Sequence, residues 1–218
     1  MQVTKQKVYK KVYDMACEEL LRSDVQERCE AAGISCKGTS RDSTIAIPFF
    51  DEVITFSTPG FSFKSSKDAN VTLVSKIILL HYLISASGAK LGGELIPYED
   101  ILGLRHYFPV YEKRVLKPLQ TAFGNDRYAF LEAGLSLGAI QQEYADASFT
   151  LQVLPRIPIT FILWEGDAEF PPLLRTLFDP TIPGYLPLED IVVISKLATT
   201  RILKEARLKH ANDGLYNL

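Results

Sequence analysis

The stretch PRIPITFILWEGDAEFPPLLRTLFD (residues 155–179) decides how the chain is read. Apart from Pro158, residues 157–164 are a run of β-branched, aromatic and leucine side chains, the composition of a buried or half-buried strand. The run stops at Glu165-Gly166-Asp167, a turn signal carrying two carboxylates. Glu169, Phe170 and two prolines follow. Proline suits the first position of a helix, so Pro172 is expected to open one carrying Leu173, Leu174 and Leu177. A strand that delivers Trp164 and three acids to one rim marks a candidate site, with Trp164 largely buried at the strand's end.

Working backwards, residues 148–154 alternate as a strand and connect through residues 155–158 to the first one, as a hairpin. Residues 44–64 hold three short β-type runs broken by Pro48, Asp51 and Pro59-Gly60, which reads as an antiparallel meander with Pro48 on an edge or bulge. Residues 70–86 are the most apolar helical segment and are expected to be buried all round. A last helix over 187–209 carries Leu188, Ile191, Val192, Ser195, Ala198 and Ile202 on one face, and 212–218 reads as a frayed end. The expected fold is one α+β domain over 1–218: an antiparallel sheet from 44–64 and 148–164, covered by the helices at 70–86 and 187–209. A helix over 4–32, stopped at Gly33, would lie at its periphery, and helices over 110–123 and 126–139 should pack antiparallel. The segments 95–101 and 185–191 echo each other (LIPYEDI, YLPLEDI). Both read as helix starts, with proline near the first position and acids where the helix dipole favours them.

With 218 residues, 47% apolar side chains and a net charge of −2, the chain has the balance of an ordinary globular protein. It lacks the concentrated basic face that nucleic-acid binding requires. No apolar run reaches the length of a membrane span. Cys17, Cys29 and Cys36 form neither a Cys-x-x-Cys pair nor an even disulfide framework, which suits a reducing cytoplasm.

The candidate site residues are polar or aromatic exceptions. His81 sits within the apolar 70–86 segment beside Tyr82; a hydrogen-bonded core histidine and a ligand or proton carrier are both open readings. Residues 103–109 place Arg105, His106, Tyr107 and Phe108 in succession, a set able to contact an anionic or planar ligand. Glu165, Asp167 and Glu169 alternate and share a face if extended geometry persists, giving oxygen ligands for a divalent cation or an acid/base set. A buried histidine or carboxylate needs a partner. His81, Arg105, His106, Trp164, Asp167 and Glu169 are therefore expected to approach one cavity.

Three stretches, ILLHYL (78–83), PLQTAFG (118–124) with the Tyr107 loop before it, and LPRIP…WEGDAEF…LFD (154–179), together resemble a domain-of-unknown-function family. The resemblance spans about 40–205. The family occurs mainly in anaerobic bacteria and archaea, sometimes fused to an iron–sulfur module like that of corrinoid iron–sulfur proteins. It implies that these residues belong together, and the family's company, rather than any established chemistry of its own, suggests a ligand- or cofactor-binding protein of anaerobic metabolism, with a corrinoid or another tetrapyrrole such as haem as ligand and a corrinoid or iron–sulfur protein as partner. Tyr82, Tyr107, Phe108, Trp164 and Phe170 would line a flat pocket, and His81 and His106 would serve as axial ligands. Two alternatives stand beside it. One is an enzyme built on Glu165, Asp167 and Glu169, although no Gly-x-Ser-x-Gly, P-loop or Gly-x-Gly-x-x-Gly is present. The other is an accessory protein docking through the basic C-terminal helix, with Lys196, Arg201, Lys204, Arg207 and Lys209.

Overall fold

The computed structural model describes the backbone of residues 2–39 and 42–216 and the side chains of 6–39 and 42–207. The chain divides into two units. The first takes residues 1–91, 154–156 and 181–190; the second takes 92–153, 157–180 and 191–218. Both mix helices with antiparallel strands, so the α+β expectation holds.

The first unit begins with two helices rather than one over 4–32: α1 (Gln2–Arg22) and α2 (Val25–Ala31). Asp24 makes the break. It is extended, and its carboxylate accepts the N–H groups of Gln26 and Glu27, so a short acid that competes for backbone donors restarts the helix. Gly33, with φ +72°, ends α2 as expected. The strands β1 (Cys36–Thr39), β2 (Asp42–Phe49), β3 (Glu52–Ser57) and β4 (Lys64–Ser65) form an antiparallel meander in that order. Alternation does the work in β2, where Ile45, Ile47 and Phe49 are buried and their neighbours exposed. Pro48 lies on β2 beyond the reach of β1, whose register ends at Ile45, so the strand is edge-like there. Helix α3 (Leu73–Ser85) starts at Thr72, whose hydroxyl accepts the Ser75 N–H, and packs along α1. Ile77 to Leu80, Tyr82 and Leu83 are buried, and only His81 interrupts them, half-buried.

The second unit is built on a five-stranded sheet. Its elements are β5 (Ile96–Pro97), α4 (Phe108–Tyr111), α5 (Lys117–Phe123), α6 (Arg127–Ser136), β6 (Ile140–Gln142), β7 (Ala147–Leu154), β8 (Ile157–Trp164) and β9 (Leu173–Phe178). The spatial order is β5-β9-β8-β7-β6. β7 and β8 form the expected hairpin, and β8, buried along almost its whole length, is the centre. One wall of the core is a row of rings: Phe123 on Phe130 (5.6 Å between centroids), Phe130 on Phe149 (4.8 Å) and Phe149 on Phe161 (5.4 Å). α6 reaches β7 this closely because residue 134 is glycine; a Cβ there would meet the Phe149 ring at 2.6 Å. A π turn (Glu112–Leu116) joins α4 to α5. Helix α7 (Leu188–Tyr216) buries Ile191, Val192, Ser195, Ala198 and Ile202, as its sequence pattern implied.

Four further expectations change. The strands of 44–64 and 148–164 belong to two sheets, because β8 finds its neighbours in β7 and β9, while β2 and β3 are already paired within the meander. Residues 173–178 are strand β9, not a helix: Leu174, Thr176 and Phe178 are buried and alternate with Leu173 and Arg175 outside, a period of two that three leucines disguised. Segment 95–101 forms β5 and a single 3-10 turn (Tyr98–Asp100); of the two echoed segments only the second opens a long helix. α7 runs past 209 to Tyr216, so 212–216 is helical rather than frayed, and 217–218 lie outside the described residues. Among the described residues no helix is long and apolar enough to cross a membrane.

Candidate functional site

His81 comes from the apolar helix α3 with a charged partner that sequence spacing did not indicate. Its Nδ1 lies 2.5 Å from a carboxylate oxygen of Asp190, in the first turn of α7. Both belong to the first unit, and their side chains keep 23% and 12% of their exposure. A carboxylate accepts, so Nδ1–H donates in this bond, and in the tautomer it selects Nε2 is the acceptor nitrogen. Among the described residues Nε2 has no hydrogen-bond partner. Asp190 had a sufficient sequence explanation as a helix-start acid, which hid its second role.

Tyr82, the next residue, faces the interior. Its hydroxyl donates to the Ala32 carbonyl (2.6 Å) and accepts the Arg156 N–H (3.1 Å), and burial raises its pKa. Its ring stacks on Tyr185, which donates to the Ala89 carbonyl. Tyr82 thus holds the floor of the first unit together.

The other sequence candidates lie in the second unit. Residues 103–109 are less a loop than a helical lead-in, with a 3-10 turn (Arg105–Tyr107) running into α4. Arg105 is exposed and pairs with Asp100 at 2.9 Å. His106 is exposed, the Tyr107 hydroxyl accepts from Arg114 at 3.5 Å, and Phe108 tilts against Tyr98. Trp164 was expected to be buried; it retains 37% exposure because it is the last residue of β8, past the covering elements. Phe170 is 66% exposed.

The three acids take separate roles. Glu165 Oε1 accepts the Arg127 N–H at 2.8 Å and so caps the start of α6, with the Arg127 guanidinium 3.7 Å from its other oxygen. Asp167 closes the turn on itself, accepting N–H groups from Phe170 (2.7 Å) and Glu169 (2.8 Å), and these two bonds lower its pKa. That contribution is present above the ordinary carboxylate range and is lost as pH falls through the depressed value. Glu169 is exposed. Among the described residues no three His, Cys, Asp or Glu side chains are grouped to hold a metal ion. Exchange of Glu165 for Ala should cost about 0.5–1.5 kcal/mol, the net worth of one hydrogen bond, since Asp126 remains the N-cap of α6 and still accepts the Ala129 N–H. Denaturant titration measures it, and unchanged stability would free Glu165 for another role. The Lys209 side chain of the basic C-terminal set lies outside the described residues.

Residues 24–201 match the family model described as Domain of unknown function (DUF3786). The chain belongs to this family. The match starts at Asp24, the cap of α2, and ends within α7, so it covers the meander, both halves of the His81–Asp190 pair and the whole five-stranded sheet of this DUF3786 chain. No curated protein and no solved structure matches it.

Proposed function

We propose that this DUF3786 protein binds a cofactor through His81, and that the cofactor is a metal-bearing tetrapyrrole, a corrinoid or a haem. The observation that supports this reading is the His81–Asp190 pair. An imidazole held by a carboxylate at Nδ1 has its tautomer and orientation fixed and offers a more basic Nε2, the arrangement found behind metal-ligating histidines. His81 Nε2 would hold the cofactor's metal as a nitrogen ligand, and that metal would supply the coordination chemistry. The resemblance to proteins of anaerobic bacteria and archaea that carry corrinoid-type iron–sulfur modules points the same way. It suggests anaerobic metabolism as the setting and a corrinoid or iron–sulfur protein as the partner. The free thiols of Cys17, Cys29 and Cys36 suit a reducing cytoplasm. The reading also takes the two units as one domain, since the chain passes between them five times.

Titration of the full chain with haem and with cobalamin, followed by absorbance, tests the proposal. A saturable spectral shift that disappears in His81→Leu is the expected result. Absence of any saturable change with both cofactors overturns it.

A further inference from the structure

Two of the chain's three thiols meet where α2 lies against the first strand of the meander. Cys29 sits in the last turn of α2 and is 1% exposed. Cys36 opens β1 and is half-buried. Between them the chain reverses at Gly33, whose φ of +72° favours glycine, and the Ile34 N–H closes back onto the Cys29 carbonyl at 2.9 Å. The turn lays the start of β1 beside the end of α2.

Register and hydrogen bonding bring the two side chains to the same side. Cys36 is the cross-strand partner of Ile45, which is 0% exposed, and directly opposed residues share a face of the sheet. The Cys36 thiol therefore lies on the covered face of the meander. There it donates to Gln26 Oε1 at 3.0 Å, and Gln26 is one helical turn before Cys29, on the same side of α2. Gln26 Nε2 in turn donates to the Gly38 carbonyl at 3.1 Å, so β1 runs along this side of the helix. Burial first, and then the Cys36 thiol beside it, push the Cys29 pKa up. The third thiol, Cys17, lies elsewhere, beside Tyr13 on α1.

We propose that Cys29 and Cys36 form a reversible disulfide, a modification site for low-molecular-weight disulfides of the glutathione class, which clips α2 to β1. Cys36 is the reachable thiol. As the thiolate it attacks one sulfur of the external disulfide, whose S–S bond breaks, and the first small thiol leaves with the proton that Cys36 gave up. Cys29 then attacks the Cys36 sulfur of the mixed disulfide, and the second small thiol leaves with the Cys29 proton. Two protein thiols are oxidised by two electrons to one disulfide, and the external disulfide is reduced to two thiols. Cys29 is too buried and too weakly ionised to start the exchange; as the second thiol it acts through closeness instead. The clipped segment includes the Ala32 carbonyl that receives the Tyr82 hydroxyl at 2.6 Å, so oxidation stiffens an anchor of α3. The pair itself needs neither His81 nor a cofactor.

The test uses the full chain, fully reduced and then held without oxygen in glutathione mixtures from wholly reduced to wholly oxidised. After an acid quench the free thiols are alkylated and the protein is read by mass spectrometry. In oxidised glutathione two of the three thiols should be protected, the intact mass should fall by that of two hydrogens, and the digest should contain a Cys29–Cys36 link with Cys17 alkylated. Dithiothreitol should restore all three. The loop closed is short, so the oxidised chain should melt only roughly 5–10 °C above the reduced one. Cys29→Ala should stop at a glutathione adduct on Cys36, and Cys36→Ala should leave Cys29 unmodified over the same time. The proposal is overturned if all three thiols of the parent stay open to alkylation in oxidised glutathione, or if the parent stops at a mixed disulfide. A link that includes Cys17 or joins two chains overturns it as well, as does a Cys36→Ala chain whose Cys29 reacts at the parent's rate. An oxidised chain that melts below the reduced one also counts against it, because the bond would then strain the turn rather than clip it.

Discussion

Replacement of Phe178 by alanine is expected to remove about 3–5 kcal/mol of stability, the range for deleting a fully buried aromatic side chain. Phe178 is 0% exposed and pairs in register on both sides, with Ile159 of β8 and Ile96 of β5. Its ring meets those of Tyr98 and Tyr111 edge-on, each at 6.4 Å, so truncation opens a void that rigid aromatic neighbours are poorly able to fill. At about 2–4 °C per kcal/mol for a chain of this size, the melting temperature should fall by roughly 6–20 °C. Leu173→Ala in the same strand supplies the control. Leu173 is 44% exposed on the other face, and its loss should stay within about 0.5 kcal/mol, as for surface substitutions generally. A helix over 173–178 would group Leu173 with Leu174 and Leu177 on one buried face, and the two variants would then lose comparable amounts. The same melts test the proposal of one domain: the Phe178→Ala transition should move as a single step. A split in which only part of the chain melts early would show that the two units unfold separately.

The leucines of β9 illustrate how far the sequence carries. Residues 157–164 announce a strand because β-branched and aromatic side chains recur without a helical period, and Ile45, Ile47 and Phe49 do so by strict alternation. α3 and α7 are legible for other reasons, α3 as an apolar run too long for a strand and α7 through apolar positions recurring every three to four residues. β9 fails because Pro172 and the leucines at 173, 174 and 177 satisfy a helix template as well as a strand, and only the hydrogen-bonding partner β8 decides between them. Assignment of strands to sheets is a matter of long-range pairing, which local period does not encode; hence one expected sheet became two. The site residues follow the same division. His81 stands out locally as a polar exception, but its partner Asp190 lies 109 residues away. Glu165 and Asp167 stand out as acids, yet backbone N–H groups take up both, a use that composition does not distinguish from ligation. Cys29 and Cys36 gave no pairing signal, because their spacing matches no cysteine motif and only the reversal at Gly33 lays β1 beside α2.

Asp190→Asn should weaken cofactor binding about 10–100-fold, the usual consequence of altering the carboxylate behind a ligating histidine. The asparagine oxygen still accepts the Nδ1–H of His81 across the 2.5 Å now spanned by the carboxylate, so the ring keeps its tautomer. What disappears is the negative charge that makes Nε2 a stronger donor to a metal and stabilises positive charge on the ring. The variant should therefore bind haem or cobalamin with the parent's spectral form but lower affinity. His81→Leu should abolish the axial spectral signature altogether. It should also cost about 1–3 kcal/mol, because Asp190, 9% exposed, is left with its carboxylate unpaired. His106→Ala, at an exposed position in the 3-10 turn, should change neither stability nor spectrum. These variants separate two uses of the pair. If it serves only to tie α3 to the first turn of α7, Asp190→Asn and His81→Leu will lower stability in proportion and leave cofactor affinity at the parent's value. A pair that orients a ligand moves affinity by more than its stability change accounts for, and only that outcome sustains the cofactor reading.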